Sequence, residues 1–255
     1  MVRRLRGDLA SKWKKHLILS THMETKSHLP STNRLSKASL QHYLRDYSTV
    51  FLKPERGTGG RGIYKLIHRD GNVCVYCNRS KKVYNNKEDV LRVVQREAKK
   101  RTYLVQQGIG LLKVMNRPVD FRIILVRPDE EWKYMGVIGK VASKNKFVTN
   151  KCQGGSPITL SQALLRNGRT KAEVADVSER LETLGLQVAQ RFSEASPAFR
   201  KLGLDVGIDR QGKIWILEVN TVPRYKLFKY HPDQTLYGKI HRSMMIIRSR
   251  RRRSR

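Results

Sequence analysis

The residues best suited to chemistry lie in one short stretch, Leu204 to Asn220, which reads LDVGIDRQGKIWILEVN. Asp205 falls at the end of an apolar run. A turn follows, and then an apolar strand closes on Glu218-Val219-Asn220. Alternate side chains of a strand share a face, so Glu218 and Asn220 point one way and Val219 the other. Asp205 can close on the same spot. Two carboxylates and an amide carbonyl are the hard oxygen ligands that Mg²⁺ takes beside phosphates. Acidic residues also end strands simply because water begins there. Here the run Ile214-Trp215-Ile216-Leu217 feeds into the pair, and a buried strand with two polar groups on one face must satisfy them.

A second constellation stands upstream. Gly57-Thr58-Gly59-Gly60-Arg61-Gly62 meets the letters G-x-G-x-x-G. The dinucleotide-binding version needs a helix directly after it, whereas Ile63-Tyr64-Lys65-Leu66-Ile67 is strand-like. The Walker loop fails because Ile63 stands where a lysine should follow the last glycine. A protein-kinase reading fails too. His68-Arg69-Asp70 falls on a turn close behind the glycines, and Asp120-Phe121-Arg122 lacks the glycine of DFG. What survives is a glycine hairpin with Lys53 just before it. Such a hairpin can free backbone N–H groups to wrap phosphate oxygens, with Lys53 as a point charge on the same phosphates. A mobile surface loop is built from the same residues.

The elements that must position these groups mix strands and helices. A helix is predicted from Ser36, with Leu40, Tyr43 and Leu44 as its apolar stripe. Strands are predicted at 49–53 and 63–68, and Asp70-Gly71-Asn72 turns the second into a strand holding Cys74 and Cys77. Asn86 caps a helix to about Arg101, with Val90, Leu91, Val94 and Ala98 on one face. Strands follow at 103–106, 120–126 and 133–141, and then a glycine-rich loop at 153–157. Thr170-Lys171-Ala172-Glu173 is a capping box opening the longest helical region. Frequent hairpins favour an α+β fold over a doubly wound sheet.

Composition narrows the class. The formal net charge of +32 comes from 53 Lys and Arg against 21 Asp and Glu, spread along the chain. Such a field attracts polyanions without naming which one. The last residues, Arg248 to Arg255, read as a solvated basic tail. No run approaches the ~18–20 apolar residues of a membrane span. The basic N-terminus lacks the apolar core of a signal peptide, so an intracellular, cytoplasmic location is expected. Cys74 and Cys77 have no second pair to complete a zinc site and sit on a strand. They and Cys152 are expected to be reduced, structural thiols. The aromatic share of 7% and scattered tyrosines do not suit a stacking platform for nucleic acid. Non-specific polyanion binding is what the charge implies.

The motifs occur in a telling order. Lys53-Pro54 and the glycine loop precede Val105-Gln106-Gln107-Gly108-Ile109, then Asp120-Phe121-Arg122, Asn150 and Gly154-Gly155, and finally Asp205, Glu218 and Asn220. Over residues 10–230 the chain resembles the ATP-grasp superfamily, and more narrowly its YheC/YheD-type members, described as endospore coat-associated. The segments Ser11-Lys12-Trp13, His28-Leu29-Pro30-Ser31-Thr32 and Phe51-Leu52-Lys53-Pro54-Glu55-Arg56-Gly57 are similar to that group's opening.

The resemblance implies a two-lobed ATP-grasp fold with Mg·ATP between the lobes. A reduced N-terminal segment would span 1–35, a glycine-loop lobe 36–102, a metal lobe 103–235 and a basic tail 236–255. It implies that Lys53 holds the α- and β-phosphates and that Gly57, Gly59, Gly60 and Gly62 close over them. Gln106, Gln107 and Ile109 belong to the hinge that meets adenine. Gln107 stands where many relatives have glutamate. Lys12 matches an earlier nucleotide-contacting lysine. Arg122 is assigned to the γ-phosphate and the charge developing during transfer. Lys140 takes a place where arginine is usual. Asp205, Glu218 and Asn220 carry Mg²⁺. The implied activity is a carboxylate–amine or carboxylate–thiol ligase acting through an acyl phosphate, its partner an acidic acceptor or spore-coat component. A coat protein that binds ATP but has lost catalysis is the alternative.

Overall fold

The computed structural model describes residues 10–69, 72–77, 80–98, 101–143 and 156–253. Asn150, Cys152, Gly154, Gly155 and the Asp70-Gly71 turn lie outside them.

The first described elements are α1 (Lys12–Ser20), α2 (Met23–Lys26) and β1 (Thr32–Arg34). Ser11 caps α1 by accepting the Lys14 N–H, and Ile18 and Leu19 are buried. This segment is thus ordered and partly in the core, where the sequence pattern alone gave no elements. Next come α3 (Lys37–Asp46), β2 (Thr49–Pro54), β3 (Tyr64–Arg69), β4 (Asn72–Cys77), β5 (Ser80–Tyr84), α4 (Lys87–Ala98) and β6 (Tyr103–Gln107). Ser36 caps α3 in a reciprocal box with Ser39. These strands form one antiparallel sheet in the order β1-β6-β2-β3-β4-β5. On β2, Val50 and Leu52 face a core with Leu40 and Leu44 of α3 and Val90 and Val94 of α4. Phe51 and Lys53 therefore face the other way.

The second sheet uses β7 (Lys113–Val114), β8 (Arg117–Val126), β9 (Lys133–Val141), β10 (Ser156–Ile158), β11 (Lys201–Ile208) and β12 (Ile214–Asn220). Its order is β10-β9-β8-β11-β12, with β7 on β8. Helices α5 (Leu160–Leu165) and α6 (Lys171–Ala195) cover one face. There Phe121, Ile123, Leu125, Leu204 and Val206 pack with Leu181, Val188 and Phe192. Thr170 and Glu173 form the predicted capping box of α6.

The opposite face is divided. Ile124, Val126 and Ile138 are roofed by a 3-10 turn, Lys226–Tyr230, and by α7 (Gln234–Arg253), through Leu227, Phe228, Ile240, Met244 and Ile247. Arg122 and Asp120, one and two steps back along the same side of β8, are not part of that apolar contact.

Two boundaries differ from the expected ones. Strand β6 lies between β1 and β2, so the division at residue 102 cuts through the glycine-loop sheet. Residues 236–253, expected as a basic tail, are helical, and Arg248 to Arg250 within them are exposed. They belong to a helix whose Ile240-Met244-Ile247 spacing buries one side, and Arg250 reaches back to the Pro128 carbonyl and Asp129 carboxylate. Charge density had masked that 3–4 spacing.

Candidate nucleotide and metal site

On the glycine-loop sheet, pairing of β2 with β6 sets Phe51 opposite Gln106 and Lys53 opposite Leu104. The Lys53 ammonium donates to Gln106 Oε1 at 2.5 Å, and Gln106 Nε2 donates to Thr32 Oγ1 at 2.9 Å. Burial lowers the Lys53 pKa to about 8, against the opposing pull of Glu218. Gly57, Gly59, Gly60 and Gly62 all have positive φ, from +72° to +126°. At Gly57 and Gly59 an added Cβ would meet open space, so backbone conformation rather than room selects glycine there.

Lys12 ties three parts together. Its ammonium donates to the Gly57 carbonyl at 2.8 Å and the Pro54 carbonyl at 3.3 Å, and lies 3.8 Å from Glu218 Oε1. The start of α1 is held in place by the buried pair Ser11–Glu55 and by Lys12 N–H on the Glu55 carbonyl. The sequence match for Lys12 was short, yet the structure brings it to the glycine loop and to Glu218 together.

The hinge segment crosses between sheets. Gln107 N–H donates to the Ser31 carbonyl, and Gly108 N–H to that of Thr49. Ser31 N–H bonds the Gln107 side chain at 3.2 Å. A Cβ on Gly108 would stand 2.4 Å from Thr49 Cγ2, so no side chain fits. Leu111 then bridges Asp209, and Leu112 N–H donates to the Ile208 carbonyl on the second sheet. No described hydrogen bond joins Gly59, Gly60, Gly62 or Ile109 to the charged cluster.

That cluster is built by register. Asp205 sits across from Arg122 on one side and Glu218 on the other, and Asp120 across from Lys140. Between Asp205 and Val206 the β11–β12 register slips, leaving Leu217 without a partner. This β-bulge shifts the alternation. Ile214 and Ile216 pack in the α6-side core while Glu218, two residues on, faces the cleft. Without it Glu218 would be buried among apolar side chains. Sequence alternation alone handles Glu218-Val219-Asn220 but gives no sign of the bulge.

Arg122 grips Asp205 with two bonds, Nε to Oδ1 at 2.8 Å and Nη2 to Oδ2 at 2.7 Å. Lys140 adds a bond to Oδ1 at 2.9 Å and Asn220 Nδ2 one to Oδ2 at 3.1 Å. Lys140 also lies 3.1 Å from Asp120 Oδ1. Burial would raise the Asp205 pKa, but Arg122 and Lys140 outweigh it and hold the carboxyl well below the usual range. Burial likewise opposes the charges on Lys140 and Arg122, and Asp205 prevails, keeping both above their ordinary values. Lys140 is almost wholly buried, so its contacts are with Asp120 and Asp205 beneath the site.

A crevice between the sheets and α1 is lined by Lys12, His16, Lys53, Gln106, Leu217 and Glu218, among others. Among the described residues no group of three His, Cys, Asp or Glu is set for a metal. The candidate set is mixed, with two carboxylates and one amide. Asp205 and Glu218 are direct cross-strand neighbours, and Asn220 touches Asp205. The three side chains are neighbours on β11 and β12, Glu218 lies 3.8 Å from the Lys12 ammonium, and their oxygens are of the type that Mg²⁺ takes beside phosphates. Asp120 and Leu217 had been given no role from sequence. Alternation with Arg122 could have pointed to Asp120. Cys74 and Cys77 lie on β4 of the glycine-loop sheet, outside this cluster.

Comparison with known proteins agrees with this architecture. Residues 5–246 match the YheC/D like ATP-grasp family. The endospore coat-associated protein YheD of Bacillus subtilis (strain 168) is 28% identical over 88% of this chain and 50% of its own length. Its namesake YheC, from the same strain, is 25% identical over 89% of this chain and 63% of its own. The chain therefore spans about half to two thirds of those relatives. Among solved structures, the D-cycloserine synthetase DcsG superposes with a TM-score of 0.57 at 9% identity, over 93% of this chain and 70% of the other. The VanG D-Ala:D-Ser ligase from Enterococcus faecalis gives 0.55 at 16%, over 90% and 56%. At such identities these two speak for the fold alone, which is the α+β, two-lobed ATP-grasp fold. The chain belongs to the YheC/D-like ATP-grasp family.

Proposed function

We propose that this chain binds Mg·ATP between its two sheets and acts as an ATP-dependent carboxylate–amine or carboxylate–thiol ligase. The observation that carries the reading is the meeting of Lys12 and Lys53 from the glycine-loop side with Glu218 from the metal-side sheet. Opposite charges brought to one crevice from separate elements suit a ligand of both signs, and a metal–polyphosphate complex has both.

The residues would divide the work as follows. Lys53 and Lys12 neutralise phosphate oxygens, with the Gly57–Gly62 backbone closing above them. Gln106, Gln107 and Ile109 lie on the segment that meets the base, with Leu217 as apolar surface nearby. Asp205, Glu218 and Asn220 hold the metal. Arg122 stabilises charge that develops on the phosphoryl group in transfer. ATP supplies the phosphoryl group that turns a carboxylate into an acyl phosphate with loss of ADP. The attacking amine or thiol then gives up its proton as phosphate leaves.

The coat-associated names of the relatives support a similar association here, from a cytoplasmic site of synthesis. No described helix is long and apolar enough to cross a membrane. The net charge of +32 would steer acidic acceptors or coat polymers to the surface.

The test is ADP release by wild type and Glu218→Gln against a panel of acids with amines and thiols. Turnover that Glu218→Gln abolishes supports the ligase. Tight ATP binding with no turnover on any pair favours a coat protein that has lost catalysis.

A further inference from the structure

We infer that Asp120 is a positioning residue for the metal end of the site. By sharing the Lys140 ammonium it removes the positive excess that Arg122 and Lys140 would otherwise build around Asp205, beside the metal position. The inference rests on the Mg·ATP reading above and adds a residue that reading does not use.

Asp205 is surrounded. Its two oxygens accept four bonds, two from Arg122, one from Lys140 and one from Asn220. An ionised carboxylate offers about four lone-pair sites, so a metal ion reaching Asp205 would displace one of these donors. Two cations on one carboxylate make a positive spot, which would repel a metal ion. Asp120 changes that balance. Its Oδ1 lies 3.1 Å from the Lys140 ammonium, which is 2.9 Å from Asp205. Asp120, Lys140 and Asp205 are 6%, 5% and 7% exposed, so water screens them little. Two carboxylates, Asp120 and Asp205, thus offset the two cations Arg122 and Lys140. The three strands β9, β8 and β11 fix this by register, Asp120 across from Lys140 and Arg122 across from Asp205.

A purely structural clamp between these strands would use the same contacts. The two accounts differ in sign. Asp120→Asn leaves a buried positive excess beside the metal position, and Lys140→Met leaves a negative one. The clamp account has both variants weaken the site alike.

ATP binding to the full chain is measured by calorimetry across a Mg²⁺ series and in EDTA. Asp120→Asn is expected to raise the Mg²⁺ concentration at half-maximal ATP binding about 10- to 100-fold, as for other outer-shell changes. ATP affinity in EDTA should fall far less. Lys140→Met should lower the Mg²⁺ midpoint, and the double variant should return it towards wild type. An unchanged midpoint in Asp120→Asn, or upward shifts in both single variants, overturns the inference. If Asp120→Asn does not fold, Lys140→Met decides alone: a lowered midpoint supports the inference, and an unchanged or raised one overturns it. If wild type shows no Mg²⁺-dependent ATP binding, the Mg·ATP reading itself fails, and this inference with it.

Discussion

Two ends of one sheet face are treated in opposite ways. Along β8, Asp120 and Arg122 are followed on the same side by Ile124 and Val126. The first pair joins a buried cluster of charges, and the second lies under α7 in an apolar contact. The β8–β9 register slips between the two ends, at Ile123–Leu125, but Asp120, Arg122, Ile124 and Val126 stay on one side of β8, so the difference in what they meet is chemical. Apolar packing holds a helix to a sheet without desolvating charge. A buried ion cluster rarely stabilises more than the hydrophobic residues it replaces. Its presence at the uncovered end of β8 is what the metal-end role proposed above would call for.

Breaking the charged end should cost most. Arg122→Ala removes the two bonds to Asp205 and strands a buried carboxylate, an effect of about 3–5 kcal/mol. Urea unfolding of the variant checks this, and nucleotide affinity should collapse with it. The apolar end should cost somewhat less and spare binding. Ile240→Ala empties a fully buried site under α7 and should lose about 2–5 kcal/mol, with ATP affinity in calorimetry close to wild type. A similar fall in affinity would mean that the two ends are coupled.

The glycine-loop side sharpens the contrast through pH. Lys53 titrates at about 8 in the fold against an ordinary 10.5. Between those values the unfolded chain binds more protons than the folded one, so the stability of the ligand-free protein should rise with pH across that window. Phosphate favours the charged form, so ATP binding near pH 8.5 should take up protons. Calorimetry in buffers of different ionisation enthalpy reads this directly, and Lys53→Met should abolish the uptake. The smallest effect belongs to the basic end of α7. Deleting residues 251–255 leaves Ile240, Met244 and Ile247 in place and should change stability by no more than about 0.5 kcal/mol, as followed by thermal unfolding.

Legibility varied with how local the cause was. Strand 133–141, the Ser36 and Thr170 caps and the Glu218–Asn220 alternation follow from neighbouring residues and were readable. Lys12 against Gly57 and the placement of β6 beside β1 depend on contacts far apart in sequence, so no short window holds them. The bulge at Leu217 was hidden for another reason. It is set by pairing with β11, and a continuous apolar run looks the same with or without it. Run charge misled at the C-terminus, where arginines hid an apolar spacing. The buried charge balance around Asp205 needed the register of three strands before Asp120 had a role.

The central claim is that one ligand is held by both sheets at once. Hydrogen exchange with and without Mg·ATP tests it most directly. The account predicts simultaneous protection of the glycine loop at 55–63, the hinge at 106–112 and the end of β12 at 217–221. Protection confined to one sheet, or to basic α7 alone, would contradict it.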